Sequence, residues 1–360
     1  MYFYVVSGFG EFDMTTKPHL KILVFGAGAI GTYVGGSLMN QGNEVVFLER
    51  PSMIDPLKKA GLEISVFEKK IRLPDPILFD NLSESLREFH FDLAILAVKS
   101  YDTDEVIKGW SGLEELMPPV LCLQNGVENE QKIRAVLGND RVLSGTVTTA
   151  IGKPSLGKIV VEKLRGIGIA GESKLSQTIV TAMNEAGLNA ELIDHAGGMK
   201  WSKMLTNLLA NASSAILRLS PEKIFNNPDL YKIEVLQIRE TLNVMNKLDI
   251  PVVNLPGTPV RLMAFLIQYM PIWLSRFIMK RAMSSGRGGK MPSFYLDLES
   301  GRKKSEVIFL NGAVARYAEA NGLDAPVNQT LNDVLMGIVE GSIPSEVYDH
   351  HPQKLIQKIL

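Results

Sequence analysis

Four short, nearly continuous apolar runs open the chain's pattern: Ile22–Phe25, Glu44–Glu49, Asp92–Val98 and Val120–Gln124. Each has the length of a strand buried on both faces, and Ala29–Gln41 between the first two carries apolar residues at helical spacing. Alternation of this kind predicts a parallel sheet with crossover helices. Runs at 142–151, 157–164 and 166–171 predict further strands of the same sheet, followed by a helix at 175–186 and a strand at 190–193. Residues 62–73 alternate around a charged centre and predict a surface hairpin inserted between core units. Beyond His195 the periodicity is helical nearly to the end, with Pro- and Gly-rich loops at 251–259 and 284–292.

The most apolar stretch, Leu262–Met279, is interrupted by Gln268, Pro271 and Arg276. It is too broken to span a bilayer and reads as buried or interface helices, so no membrane partner is expected, a role at the membrane surface being the lesser alternative. An apolar patch of that size also suggests a homodimer through this half of the chain. Residues 1–20 lack the basic start and continuous apolar core of a secretory signal; they read as an extension, and Met14 is an alternative start.

The first strand runs into Gly26-Ala27-Gly28-Ala29-Ile30-Gly31, and this is where chemistry enters. Gly26 permits a tight turn, Gly28 lets backbone approach a pyrophosphate, Gly31 lets the helix pack closely on the strand, and unpaired N–H groups at the helix start attract phosphate. The expected architecture is α/β: a Rossmann-type dinucleotide-binding domain over 21–195, then an all-helical domain over 196–360 for substrate and dimerisation. Glu49 and Arg50, a little over twenty residues on, point opposite ways. An acidic side chain there accepts from a free ribose 2′-hydroxyl, whereas an arginine accommodates a 2′-phosphate. Arg50 is read as the selecting residue and NADPH as the cofactor, a solvated Glu-Arg pair being the plain alternative.

Lys99 and Asn125 each follow a strand, at the sheet edge where open parallel sheets bind ligands; both are placed to touch cofactor or substrate, or merely to start a helix and to form an Asn-Gly turn. At the head of the helical half, Lys203, Asn207 and Asn211 are spaced by four and form one stripe, drifting about 40° per step, on a helix otherwise rich in Leu, Met and Ala. Asparagine is a poor helix-interior residue and a buried ammonium needs a partner. Such a stripe meets a polar ligand, a neighbouring loop or water.

Composition narrows the partners. A formal charge of −1 over 360 residues gives no general attraction to nucleic acid, which leaves a small-molecule partner. One cysteine, Cys122, excludes an internal disulfide and a cysteine-rich metal site, and fits a reducing cytoplasm. The five histidines show no ligand spacing, so no metal is expected.

These motifs resemble the ketopantoate reductase (2-dehydropantoate 2-reductase) family over most of the chain. The likeness rests on Gly26–Gly31, Ala97-Val98-Lys99-Ser100, Gln124-Asn125-Gly126, the lysine-asparagine helix, and a block from Lys290-Met291-Pro292-Ser293 through Asp297, Gly301-Arg302 and Ser305-Glu306 to Leu310-Asn311-Gly312 and Ala325-Pro326. The resemblance implies NADPH-dependent reduction of a 2-oxo acid, typically 2-dehydropantoate to (R)-pantoate in pantothenate and coenzyme A biosynthesis. It makes Lys203 the general acid and puts Asn125 near nicotinamide and substrate. Ser293, Asn207 and Asn211 hold the substrate, and Glu306 engages both the substrate and the lysine. On chemistry alone, Glu306 near Lys203 would favour the ammonium, or would simply be an acid early in a helix. Three positions depart from the family: Leu219-Ser220-Pro221 stands where members can carry a further asparagine, the loop from Asp297 to Glu306 is one residue longer, and Ile308 replaces an acid. The alternatives are a reductase or dehydrogenase of another 2-oxo or hydroxy acid, and a non-enzymatic NADP(H) sensor.

Overall fold

The computed structural model describes residues 19–284 and 290–360. The expected extension, apart from its last two residues, Met14 and most of the 284–292 loop lie outside them. Strand β1 (Lys21–Phe25) has Ile22, Leu23 and Val24 fully buried, as a central strand covered on both faces must. The chain continues through β2 (Glu44–Leu48), β3 (Leu62–Val66), β4 (Lys69–Leu73), β5 (Ile77–Phe79), β6 (Leu93–Leu96) and β7 (Val120–Cys122) to β8 (Val142–Val147), β9 (Ala150–Ser155), β10 (Lys158–Lys163), β11 (Ile167–Ala170) and β12 (Ala190–Ile193). The main sheet has the order β12-β11-β8-β7-β6-β1-β2-β5. From β1 the chain winds to β2 and β5, then returns on the other side as β6 and β7. That reversal opens a crevice between the carboxyl ends of β1 and β6.

Two sequence expectations change here. β9 and β10 do not extend the main sheet, and the 62–73 hairpin is not a surface appendage: together they form a second sheet, β4-β3-β10-β9, with β10 parallel to β3 and Ile159 opposite Ile64. Ile64, Ile159 and Val161 are buried, and the new sheet packs on the helix Ala29–Asn40. Gly36 makes the approach feasible, because a Cβ there would lie 2.9 Å from Ile64 Cδ1.

The helical half is built around Pro228–Lys247, whose Ile233, Glu234, Gln237, Ile238 and Thr241 are fully buried. The helix Ala196–Leu208 docks it to the sheet, and a buried ion pair roots the joint. Lys200 Nζ lies 2.8 Å from Glu130 and also donates to the carbonyls of Gln124 and Gly145. Burial pulls the Lys200 pKa down, but Glu130 outweighs it and holds the ammonium charged.

The stripe expected on one helix is broken. The helix stops at Leu208, Ala210 takes φ +53°, and Asn211 precedes a new helix, Ala212–Leu217. The break is held from afar: the Ala210 amide donates to the buried Glu234 at 2.6 Å and Ser213 Oγ donates to the same carboxylate. A bond from Asn211 Nδ2 to the Asn207 carbonyl (3.0 Å) still keeps the two asparagines together.

The apolar segment folds as two helices, Val260–Tyr269 and Ile272–Ser284. Val260, Ala264, Ile267 and Met279 turn inward, while Leu262, Phe265, Tyr269, Trp273 and Phe277 are exposed, so the segment is buried along one edge only. No described helix is long and apolar enough to cross a membrane, and no cluster of three or more His, Cys, Asp or Glu residues among the described ones is arranged to hold a metal ion.

Candidate cofactor and substrate site

The glycine turn sits at the carboxyl end of β1 and its glycines do different work. Gly26 has φ +93°, a conformation other residues rarely adopt, and its amide donates to the Leu48 carbonyl (3.0 Å), closing the turn on β2. At Gly31 a Cβ would lie 1.8 Å from the Gly26 carbonyl oxygen, so only glycine permits the helix to pack this close. At Gly28 a Cβ would meet nothing within 4 Å. This glycine leaves open the space directly before the helix N-terminus, a cradle that fits a pyrophosphate. Ala29 and Ile30 form the first turn of that helix, which carries no acidic side chain there.

Beside the turn, Glu49 folds inward and accepts from the Ala27 amide at 2.6 Å. Arg50 stays outward with 68% of its side chain exposed, its guanidinium 3.0 Å from Asp102. The helical half adds cations to this rim. Lys304 pairs with Asp102 (3.1 Å) and stacks over Tyr101, whose hydroxyl lies 3.2 Å from Arg302 Nη1. Arg50 and Lys304 thus share the Asp102 carboxylate, with Arg302 beside them on Tyr101, an arrangement suited to a further anion.

Lys99 is held between two carboxylates, Asp297 and Glu306, each at 2.9 Å. Burial would lower its pKa, but the charges and hydrogen bonds of Glu306 and Asp297 outweigh burial and raise it above the ordinary lysine value. Ser100 Oγ lies 3.2 Å from Glu306 and donates to the Asn125 carbonyl at 2.8 Å, which also accepts from Asn129 Nδ2 at 2.7 Å. The Glu306 carboxylate is bound by Lys99 and Ser100, partners that the sequence reading did not pair with it, because the short helix Glu306–Phe309 packs against the turn after β6.

From Asn125 the site continues into the helical half. Asn207 Nδ2 donates to Asn125 Oδ1 (3.0 Å), and Asn211 Nδ2 donates to Ser293 Oγ (3.2 Å) while its Oδ1 accepts from the Phe294 amide (3.0 Å). Lys203 lies one turn before Asn207. Lys203, Thr206 and Asn207 are the half-buried positions between Met199 and Leu208, whose other side chains are buried. The structure therefore joins Asn125, Asn207, Asn211 and Ser293 in one chain of bonds, with Lys203 adjacent on the same helix and Lys99–Glu306 behind Asn125.

Sequence reasoning missed Ser100, Asn129, Lys200 and Asp297 as partners in this network. Lys200 carried a signal, being a lysine on the same helix as Lys203, and Ser100 and Asp297 stand within the family motifs; Asn129, at the start of the helix Asn129–Leu137, carried none. Of the three departures, Ser220 caps the helix Pro221–Asn226 by accepting from the Lys223 amide, the longer loop carries Arg302 and Lys304 onto the 101–102 turn, and Ile308 packs partly buried against the helical core.

A glycine cradle at a sheet switch point, faced by a lysine-asparagine seam on a helical domain, defines a two-domain dinucleotide-binding protein. Comparison with known proteins is specific. The family model for ketopantoate reductase PanE/ApbA matches residues 22–173, and the model for its C-terminal domain matches 197–339. The 2-dehydropantoate 2-reductase of Pyrococcus horikoshii is 29% identical over 86% of this chain and 94% of its own, and that of Archaeoglobus fulgidus is 27% identical over 89% and 98%. Among solved structures, a PanE/ApbA family ketopantoate reductase from Ralstonia eutropha superposes with TM-score 0.74 at 22% identity, covering 90% of this chain and 99% of its own. D-mandelate dehydrogenase with NADH and anilino(oxo)acetate gives 0.73 at 21%, with the same coverages. The chain belongs to the ketopantoate reductase family and is an oxidoreductase.

Proposed function

We propose that the protein reduces 2-dehydropantoate to (R)-pantoate with NADPH. The observation that carries this reading is the bond between Asn207 and Asn125, which sets the Lys203 helix against the cofactor edge of the sheet. Relatives named 2-dehydropantoate 2-reductase, matched over nearly their full length, support the substrate. The cation-rich rim of Arg50, Arg302 and Lys304 supports NADPH over NADH, since a 2′-phosphate is the anion such a rim would favour.

A bound nicotinamide dinucleotide supplies the hydride. Gly26 to Gly31 would receive its pyrophosphate and Arg50 a 2′-phosphate, and Asn125 and Lys99 would hold its nicotinamide half. Lys203 polarises the substrate ketone and gives its proton to the oxygen as the carbonyl carbon becomes tetrahedral. Asn207, Asn211 and Ser293 orient the substrate's polar groups. Glu306 acts through Lys99 and Ser100, fixing the Asn125 loop while facing the substrate side. The single cysteine, buried and reduced, supports a cytoplasmic site of action.

The test is NADPH oxidation at fixed enzyme with 2-dehydropantoate against a panel of other 2-oxo acids, with Lys203→Ala as control. Lysine-dependent turnover fastest on 2-dehydropantoate supports the proposal; faster turnover of another panel member reassigns the substrate. Retained cofactor binding with no Lys203-dependent turnover of any acid would favour a sensor.

A further inference from the structure

We propose that the face formed by the helices Val260–Tyr269 and Ile272–Ser284 docks on an anionic lipid bilayer, lying on the membrane without crossing it. The two helices expose a continuous series of large side chains. Leu262, Phe265 and Tyr269 recur at three and four residues on the first helix, Trp273 and Phe277 at four on the second, and all five are more than half exposed. Phe265 and Tyr269 pack against each other at a tilt of 47°, with ring centroids 5.3 Å apart. Their opposite edge is anchored: Val260, Ala264, Ile267 and Met279 are buried, and Ser275 bonds Tyr231 at 3.0 Å. The exposed aromatics are therefore held outward by a packed inner edge.

Charge decides the occupant. From Ile250 to Leu296 the sequence contains no aspartate or glutamate, whereas Arg261, Arg276, Lys280 and Arg281 lie within or at the ends of the two helices. The chain's overall charge of −1 conceals this local excess of one sign. Aromatic and aliphatic side chains flanked by cations match the headgroup region of an anionic bilayer, where Trp and Tyr place an apolar body and a polar edge and cations meet lipid phosphate. A second copy of the chain fits less well. An isologous contact would set this face against itself and bring the arginines and lysine of these two helices together, their own sequence offering no acid to pair with them.

The protein carries its own reporter. Trp110 and Trp201 are 0% and 4% exposed, whereas Trp273 is 71% exposed. Transfer of Trp273 from water to lipid shifts emission to the blue. The full-length protein is titrated with vesicles of phosphatidylcholine alone and of phosphatidylcholine with phosphatidylglycerol, at low and high salt, following emission and co-sedimentation. The expected result is binding roughly tenfold or more tighter to the anionic vesicles, weakened by salt, with a blue shift. Arg276→Glu with Arg281→Glu should abolish the anionic preference, and Phe265→Ser with Phe277→Ser should reduce binding to both. Far-ultraviolet circular dichroism and thermal melting check that the variants fold, independently of any reductase assay. Equal or absent binding to the two vesicle types overturns the proposal. So does a wild-type dimer in sedimentation that Trp273→Ala dissociates without any lipid binding, which would assign the face to a second copy.

Discussion

Asn207 Nδ2 donates to Asn125 Oδ1 at 3.0 Å, across 82 residues of sequence, and this bond carries the helical half onto the cofactor edge of the sheet. Asn125 is fixed from behind by Ser100 and Asn129 on its carbonyl, so its side chain is presented in one orientation. Asn207→Ala should lower kcat/KM about ten- to hundredfold, matching the roughly 1–3 kcal/mol of leaving a partly buried polar partner unsatisfied. Steady-state kinetics with circular dichroism as a folding control checks this; unchanged kcat/KM would remove the bond from the active assembly.

Arg50 is outward, cation-flanked and paired only at its edge with Asp102, whereas Glu49 is committed to the Ala27 amide. Arg50→Ala should therefore weaken NADPH binding about tenfold or more and leave NADH nearly unaffected. Titration of protein fluorescence with each dinucleotide distinguishes this from a general loss of binding. Equal losses for both would place Arg50 outside the 2′-phosphate pocket.

Gly28 and Gly31 should separate binding from folding. A methyl at Gly28 meets no protein atom, so Gly28→Ala should change stability by less than about 0.5 kcal/mol while cofactor affinity falls. A methyl at Gly31 collides with the Gly26 carbonyl, so Gly31→Ala should lower the melting temperature as well. Thermal melts with and without NADPH read both effects.

Glu234, buried beneath the break at Ala210, has its pKa pushed by burial up to about 7 from the ordinary 4.5, against the opposing bonds from Ser213, Ala210 and Gln237. Between those values the native state holds a proton that the unfolded chain has released. Its contribution to stability is therefore complete at low pH, falls as pH rises through this window and is lost above it, by roughly 3 kcal/mol in all. Denaturant unfolding of wild type and Glu234→Gln at about pH 5 and about pH 8 should show wild type losing more stability than the variant. Parallel pH dependence in the two would contradict the assignment.

The Lys200–Glu130 pair ties the first helix of the helical half to the strand edge through the Gln124 carbonyl, one residue before Asn125. Lys200→Met should cost about 3–5 kcal/mol because it strands a buried carboxylate, and adding Glu130→Leu should restore much of the loss. Urea unfolding of the single and double variants measures both.

What was legible in the sequence is what short-range backbone physics encodes. The Gly26–Gly31 turn, the first βαβ unit and the helical spacing of Lys203 and Asn207 depend on residues a few positions apart, whose types already restrict the available conformations. The resemblance to one family then named the roles that spacing alone left open. What tertiary structure decided involves choices among distant partners. Glu306 meets Lys99, 207 residues away in sequence, because the short helix that Glu306 begins packs on the turn after β6. The helix carrying Asn207 ends before Asn211 because Glu234 captures the Ala210 amide, and no local signal announces that acceptor. The 62–73 hairpin found β10 rather than solvent, since apolar alternation specifies a buried face without specifying its neighbour. The same ambiguity holds at Trp273 and Phe277: their spacing predicts a helical face, and only the packing of the opposite edge turns that face outward.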